Sequence, residues 1–221
     1  MTILVLASAS AGRRETLRRA GVEAAVLVSD VDEDAVIARY GVDDPQDVAL
    51  VLAKAKAEQV AGRVDGDGDL PDGALVLGCD SVLELDGVAH GKPTDADDAR
   101  TRWQAMRGRS GTLHTGHWLV DTRTGGSGGT LGAVASTVVH FADVTDQEID
   151  DYVASGEPLG VAGAFTVDGL GGAFVSRIEG DFHAVVGVSL PLLRELVAQV
   201  GVSWPSLWSA PAGPGSRRAV S

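Results

Sequence analysis

Cysteine is almost absent from this chain, and long apolar runs are missing. Among the 221 residues Cys79 is the only cysteine, which rules out an internal disulfide and fits a reducing compartment. No apolar run approaches the about 20 residues of a membrane span. Residues 1–11 are apolar but lack the basic flank of a signal peptide. We therefore expect a cytoplasmic protein.

Positive charge is also in short supply. The chain has 18 basic and 31 acidic residues, a formal net charge of −13 and a pI of about 4.6. Non-specific binding of nucleic acid or of an anionic membrane needs a basic surface, so we expect neither. A small polyanionic substrate remains compatible, because a local basic pocket with a metal can lie in an acidic body.

Lysine is the scarcer of the two cations, with Lys54, Lys56 and Lys92 the only three. Such a bias usually reflects genome composition. Lys92 nevertheless lies between Gly91 and Pro93, where a compact ammonium suits a point contact with phosphate. Lys54 and Lys56 flank the apolar stripe of a predicted helix on opposite sides, so periodicity does not decide which of them faces a site.

Apolar residues make up 44% of the chain, enough for one large domain or two closely packed lobes. Strands are predicted over residues 3–7, 24–28, 75–77, 82–85, 112–122, 130–141 and 173–178. Helical patterns lie between and after them, including 33–40, 45–61, 94–107 and 190–200, with Thr94 and Ser189 as the predicted N-caps of the last two. We assign residues 1–203 to a single domain. The Pro-, Gly- and Ser-rich segment 204–221 is predicted to be a flexible tail, either disordered or loosely docked.

The stretch Leu75–Pro93 combines an acid and a cation around a turn. An apolar strand ends on Gly78-Cys79-Asp80-Ser81, and a second short strand follows. Asp86-Gly87 is typical of a hairpin, which brings Gly91-Lys92-Pro93 back towards Asp80. An acid at a strand end with a lysine folded back beside it predicts a site for a metal-bound phosphate.

Ser8–Arg13 follows the first strand and opens the first helix. Small residues and hydroxyls at a helix N-terminus, with Ser10 or Gly12 as the cap, can hold an anion on backbone N–H groups. The commoner structure for such a segment alone is an ordinary turn with a capping serine.

Several other polar groups also have two interpretations. The acids of 30–34, with Glu33 among them, can ligate a hard cation or form the first turn of a helix. Asp168 is interpreted as a buried acid among the glycines of 163–172, which indicates either backbone close to a ligand or a set of turns. His114 and His117 point to opposite strand faces, so we expect partly exposed structural histidines. The acidic loop 65–73 fails the calcium-loop pattern.

Taken in order, these motifs resemble the Maf family of nucleoside triphosphate pyrophosphatases over about residues 2–202. The motifs are Leu6-Ala7-Ser8-Ala9-Ser10 with Arg13, Asp32-Glu33, Leu52-Ala53 with Lys56-Ala57, Cys79-Asp80-Ser81, Gly91-Lys92-Pro93, Gly108-Arg109, Tyr152 with Ser155-Gly156-Glu157-Pro158, Ala162-Gly163, Asp168-Gly169-Leu170-Gly171, Glu179-Gly180 and Val186-Gly187 to Leu190-Pro191. Each motif is weak by itself, and the ordered set is specific.

The resemblance implies an elongated α/β fold, with a mixed central β-sheet flanked by helices and a nucleotide cleft between two lobes, as in inosine triphosphate pyrophosphatases. It implies hydrolysis of a nucleoside triphosphate between the α- and β-phosphates to the monophosphate and pyrophosphate. A divalent metal is expected, usually Mg²⁺, with Mn²⁺ or Co²⁺ as alternatives. A homodimer is expected too.

Residue roles follow from matching positions. Asp80 matches the general base, and Asp80 with Glu33 would hold the metal. The residues expected to bind phosphate are Ser8, Ser10, Arg13, Lys56 (rather than Lys54) and Lys92. Three positions depart from better-known subfamilies, namely Gly12, Ser81 and Asp168, and these would govern base preference. An open Gly12 would leave room for a broad range of substrates.

Two other functions compete with this one. A metal-dependent nucleotidyltransferase also places acids at strand ends and releases pyrophosphate, but only when an acceptor is present. A nucleotide-binding regulator of septum formation would bind without turnover. The chain lacks GxxxxGK[ST], so it has no P-loop of the Walker type.

Overall fold

The computed structural model describes residues 2–64 and 73–209, and these build an α/β fold around one mixed sheet. The strands are β1 (Leu4–Leu6), β2 (Ala25–Val26), β3 (Leu75–Leu85), β4 (Val88–His90), β5 (Ser110–Asp121), β6 (Thr130–Phe141) and β7 (Val175–Glu179). They lie in the order β2-β1-β3-β5-β6-β7, and β4 also pairs with β3. The predicted fold class is confirmed. Most of the acidic loop 65–73 lies outside the described residues.

Seven α-helices are described on the two faces of the sheet. They are α1 (Ala11–Arg19), α2 (Glu33–Tyr40), α3 (Pro45–Val64), α4 (Ala96–Met106), α5 (Asp146–Ala154), α6 (Phe182–Val186) and α7 (Leu190–Gln199). Ser10 and Ser189 cap α1 and α7 as predicted. The cap of α4 is Asp95, which accepts from the Asp98 amide, so the prediction of Thr94 is wrong by one residue.

Strand β3 is continuous through Asp80, so the prediction of two short strands with the acid at a strand end is wrong. The neighbouring β5 pairs with β3 from Leu75 to Glu84 and supports it over this whole length. The polar residues at 78–81 interrupt the apolar pattern, but they do not interrupt the ladder.

The opposite edge of β3 is paired only at its two ends. Strand β1 runs parallel to residues 75–77, and β4 runs antiparallel to residues 83–85. In the described part of the chain, residues 78–82 have no strand neighbour on that edge. We call this opening the notch. Asp80 and Ser81 lie in it and, being adjacent in a strand, point to opposite faces of the sheet.

Helix α3 lies in backbone contact with the sheet face that carries Asp80. A Cβ atom at Gly78 would overlap the Ala53 carbonyl, and one at Gly116 would overlap the Ala49 carbonyl. Gly116 is the β5 residue opposite Asp80. Two glycines on neighbouring strands therefore set how closely α3 approaches, which is a packing use of glycine.

The other sheet face carries two apolar clusters, one on either side of Ser81. One joins β3 to α1 and α7 through Leu77, Leu17 and Leu193. The other surrounds Trp103, which is fully buried and makes edge-to-face contacts with neighbouring aromatic rings. The apolar packing on this face is therefore divided into two cores, with the polar Ser81 between them.

The chain beyond residue 203 is docked as far as it is described. Trp204–Leu207 forms a short 3₁₀-helix, and Leu207 is buried in the α1/α7 core. The Ser209 amide donates to the Gly21 carbonyl at 2.8 Å. Of the two expected states, residues 204–209 are therefore docked, because Leu207 and the tryptophans supply apolar surface. Residues 210–221 lie outside the described residues.

None of the helices described here has both the length and the apolar character to cross a membrane.

Substituting Gly116 with Ala should destabilise the fold by about 1–3 kcal/mol, because the added methyl group pushes α3 away from the sheet. Gly62→Ala is the matched control. Gly62 lies within α3 with open space around its Cβ position, so alanine there should stabilise by about 0.5–1 kcal/mol. Urea denaturation of both variants measures this, and equal effects at the two positions would contradict the close-approach account.

Candidate active site

The centre of the notch is a lysine held between two carboxylates. Lys56 Nζ forms an ion pair with Asp80 Oδ1 and a second with Glu33 Oε1, at 2.7 Å. Asp80 comes from β3, Lys56 from the middle of α3, and Glu33 from the first turn of α2. Lys54 points elsewhere, with its ammonium 5.2 Å from the centre of the Trp118 ring. The structure therefore brings together Lys56, Asp80 and Glu33, as the resemblance implied.

Asp80 is a buried acid in this cluster. Its residue surface is 8% exposed, and burial raises the pKa of the Asp80 carboxyl above the usual value, while Lys56 and Arg13 act in the opposite direction. A carboxylate with a raised pKa is a stronger proton acceptor than an exposed one. The neighbouring thiol is inert, because burial raises the pKa of Cys79 to about 12.

On the opposite face of the notch, Arg13 ties three segments together. Its Nε donates to the Gly187 carbonyl at 2.8 Å, one terminal nitrogen donates to Ser8 Oγ at 2.9 Å and the other to Ser81 Oγ at 3.2 Å. The Ser10 hydroxyl accepts from the Arg13 amide at 3.3 Å and caps α1. Arg13 is thus built into the wall of the site.

The hydrogen bonds that Ser8 accepts determine where its hydroxyl proton points. Its oxygen accepts from Arg13 and from the Ser10 amide, at 3.2 Å. Both lone pairs are used, so the hydroxyl proton is directed away from these donors. A donor beside a guanidinium and the N-terminus of α1 is suited to an anionic oxygen.

Two further residues hold α6 against the sheet, and no sequence motif predicted either of them. Thr115 on β5 lies opposite Ser81 and donates to the Ala184 carbonyl at 2.8 Å. Thr137 on β6 donates to the Asp181 carbonyl at 3.3 Å. Only the strand register shows that Thr115 lies beside the site.

Lys92 and Asp168 do not join the central cluster. Lys92 is exposed just after β4, where the chain direction carries it from the Leu83–His90 pair towards the notch. Its ammonium makes no hydrogen bond or ion pair with the part of the chain that the structure covers. Asp168 is exposed beside a cavity of about 190 Å³ that Phe182 and His183 also line.

The acid enclosed by glycines is Glu157, so the interpretation of Asp168 as a buried acid is wrong. Glu157 accepts hydrogen bonds from the Leu170 and Gly171 amides, both at 2.9 Å, and from Tyr152 at 3.0 Å. The turns 157–174 are thus arranged around one carboxylate.

Gly12 is packed, which corrects the expectation of open space there. A Cβ atom at Gly12 would lie 3.3 Å from Val186 Cγ1 and 3.4 Å from the Val186 carbonyl. Its role in this fold is the close approach of α1 and α6, so it gives no argument for a wide substrate range.

The two β5 histidines are buried, which corrects the expectation of partial exposure. His114 contacts Glu84 and Ser136, each at 2.8 Å. His117 Nε2 accepts from the Ser189 amide at 2.8 Å, and burial lowers the pKa of His117 to about 4. A neutral His117 therefore fixes the start of α7.

The chain is similar to known proteins over nearly its whole length. The family model described as Maf-like protein matches residues 3–200. The chain is 56% identical over 206 residues to a nucleoside triphosphate pyrophosphatase of Salinispora tropica, covering 93% of this chain and 87% of that protein. It is 55% identical over 209 residues to one of Streptomyces coelicolor, covering 95% of each. It is 51% identical over 210 residues to one of Leifsonia xyli, covering 93% and 96%.

Asp80→Asn should stabilise the fold at neutral pH. A carboxyl whose folded pKa is raised contributes stability that is present below its unfolded pKa and lost as the pH rises through the folded value. Asparagine does not ionise, so the variant does not lose this stability as the pH rises. Thermal melts of both proteins from pH 4 to 8 should diverge progressively with rising pH.

Asp121→Asn is the control of opposite sign. Arg123 holds the pKa of the Asp121 carboxyl well below its usual range, so this acid contributes stability at neutral pH and its amide should lower Tm. A lower Tm for Asp80→Asn at pH 8 would contradict a net cost of ionising Asp80.

Proposed function

This chain belongs to the Maf-like protein family, and we propose from that membership that it is a nucleoside triphosphate pyrophosphatase. It would hydrolyse the bond between the α- and β-phosphates and release the nucleoside monophosphate and pyrophosphate. The observation that carries the proposal is the notch itself, where a buried acid of raised pKa faces Lys56 on one side of β3 and Arg13 lies on the other. The relatives that are named nucleoside triphosphate pyrophosphatase match more than nine tenths of the chain.

In the proposed reaction Asp80 is the general base. Its carboxylate takes a proton from water as the water oxygen forms a new bond to phosphorus. The phosphoanhydride bond breaks, and its electron pair leaves with the pyrophosphate group. The raised pKa of Asp80 supports this role, because general bases work best when their pKa lies near the working pH.

The proposed phosphate contacts divide between the two faces. The Ser8 proton, the Arg13 guanidinium and the N-terminus of α1 capped by Ser10 would hold the phosphate chain. Lys56 and Lys92 would balance the negative charge that accumulates on the leaving pyrophosphate. Lys92 is exposed and has room to move towards the substrate.

Glu33 and Asp80 would hold a divalent cation. A bound cation of this kind lowers the pKa of its water and neutralises phosphate charge. The donor set fits Mg²⁺, which binds proteins through one or two carboxylates and takes its other ligands from phosphates and water. Within residues 2–64 and 73–209 no group of three or more potential ligands is found, so Mg²⁺ fits better than a metal that needs a full protein cage. Mn²⁺ and Co²⁺ are the alternatives.

Base preference, assembly and location complete the proposal. Ser81 beside Arg13 and Asp168 beside the cavity are the positions proposed to read the base. A homodimer is proposed from the family resemblance. The cytoplasm is the proposed compartment, in keeping with the single cysteine Cys79.

Purified protein with Mg²⁺ should release pyrophosphate from at least one nucleoside triphosphate in a panel of standard and modified bases. Asp80→Asn should lower kcat by about 10²–10⁴-fold, the usual contribution of a general base. Pyrophosphate and orthophosphate are measured separately. Orthophosphate as the first product, or full activity of Asp80→Asn, would refute this mechanism.

Lys92→Ala should reduce kcat/KM by at least about tenfold, because one cation near the leaving group is lost. Lys54→Ala is the matched control, since Lys54 lies on the same helix as Lys56 but packs over Trp118. It should keep kcat/KM within about twofold, as expected of a surface change. Equal losses in the two variants would count against a phosphate contact by Lys92.

A further inference from the structure

A chain of hydrogen bonds runs from Arg13 through two hydroxyl groups to the backbone of α6. Arg13 donates to Ser81 Oγ at 3.2 Å, Ser81 Oγ lies 3.1 Å from Thr115 Oγ1, and Thr115 Oγ1 lies 2.8 Å from the Ala184 carbonyl oxygen. The chain crosses from β3 to β5 at the Ser81–Thr115 pair of the sheet register.

The direction of each proton in this chain follows from the chemistry of its two ends. A carbonyl oxygen only accepts, so the Thr115 proton lies towards Ala184. Thr115 Oγ1 then has only lone pairs to offer Ser81, so the Ser81 proton lies towards Thr115. At the other end a guanidinium only donates, so Arg13 uses one lone pair of Ser81. What remains on Ser81 Oγ is a single lone pair.

Ser81 and Ser8 therefore have opposite polarity, although Arg13 contacts both. Ser8 uses its lone pairs on Arg13 and Ser10 and keeps a proton to donate. Ser81 donates its proton to Thr115 and keeps one lone pair that can accept a hydrogen bond. An anionic phosphate oxygen is attracted by the first hydroxyl and repelled by the second. The partner of Ser81 must instead carry an N–H or O–H group.

We propose that Thr115 is a positioning residue that fixes the Ser81 hydroxyl as an acceptor, and that the site thereby selects substrates whose nucleoside part presents a hydrogen-bond donor to Ser81. This proposal rests on the proposed function and adds a residue and a substrate feature to it. The donor is either an N–H of the base or a hydroxyl of the ribose. A site built around one fixed hydrogen bond discriminates against a ligand that leaves its polar group unpaired.

Thr115 is fully buried, so its hydroxyl acts through Ser81 and Ala184 alone. Thr115→Val keeps the shape of the side chain and removes the hydroxyl that accepts the hydrogen bond from Ser81. The Ser81 hydroxyl is then free to rotate, and it can donate as well as accept. Thr115→Ser keeps a hydroxyl at this position and should retain the substrate preference of the wild type.

Thr137→Val is the matched control for the α6 contact. Thr137 is also buried, lies on the adjacent strand and holds the start of α6 through Asp181, but it has no hydrogen bond to Ser81. If Thr115 acted only by anchoring α6, the two valine variants would behave alike.

The test compares kcat/KM for nucleotide pairs that differ by one donor. One arm uses a ribonucleoside triphosphate and its 2′-deoxy analogue. The other uses the best substrate of the panel and the N-methylated analogue that lacks the base N–H. In one arm the wild type should prefer the donor-bearing nucleotide, and Thr115→Val should reduce that preference by about fivefold or more, as expected for one hydrogen bond. Thr115→Ser and Thr137→Val should leave the preference within about twofold.

A double-mutant cycle with Ser81→Ala distinguishes an effect of Thr115 that acts through Ser81 from a general disturbance of the site. Ser81→Ala should lose the preference, and adding Thr115→Val to it should change the preference no further. Should Thr115→Val fail to fold, Ser81→Ala and Thr115→Ser still test the polarity of Ser81. The inference is overturned if neither arm shows a preference in the wild type, or if Thr137→Val loses it as Thr115→Val does.

The same nucleotide pairs are also compared by calorimetric binding. If the wild type binds them but releases no pyrophosphate, the proposed function is wrong. The affinity ratios then still decide between an accepting Ser81 and a freely rotating one.

Discussion

The site depends on how closely helix α3 approaches the sheet. At Gly78 and Gly116 the helix backbone occupies the space that side chains would fill. This contact brings α3 to the strand that carries Asp80, and Lys56 directly precedes Ala57, whose backbone packs over Gly78. The residue opposite Asp80 on β5 is Gly116 itself, so the close contact lies directly beside the ion pair. A single methyl group at this contact would act on the fold and on the charge cluster together.

The site is much less acidic than the molecule as a whole. The chain carries a net charge of −13, yet in the notch Arg13 and Lys56 stand against the two carboxylates of Asp80 and Glu33. An acidic body discourages large polyanions, while a recessed site with balanced charge repels a small one far less. The two features together favour a compact phosphate ligand over a nucleic acid, and neither depends on a contact with the base.

Much of the fold followed from local signals in the sequence. The caps Ser10 and Ser189 were correct because capping depends on neighbouring residues. Strand β3 was divided in error, because its continuity comes from pairing with β5 more than thirty residues away. Gly12 was interpreted as open, and the Val186 contact that fills this space depends on tertiary packing. Asp80, Lys56 and Glu33 were chosen through the family motifs, and the structure places them together, whereas Thr115 has no motif and emerges only from the strand register.

The notch has a consequence for solubility. A strand edge without a partner is a place where another chain can add a strand, and exposed edges of this kind promote aggregation. Here the free edge of β3 covers only residues 78–82 and is bounded by β1 and β4. A foreign strand cannot lie along so short an opening without colliding with both neighbours. The protein can therefore keep backbone available for a ligand in the middle of its sheet while offering intruding chains very little to pair with.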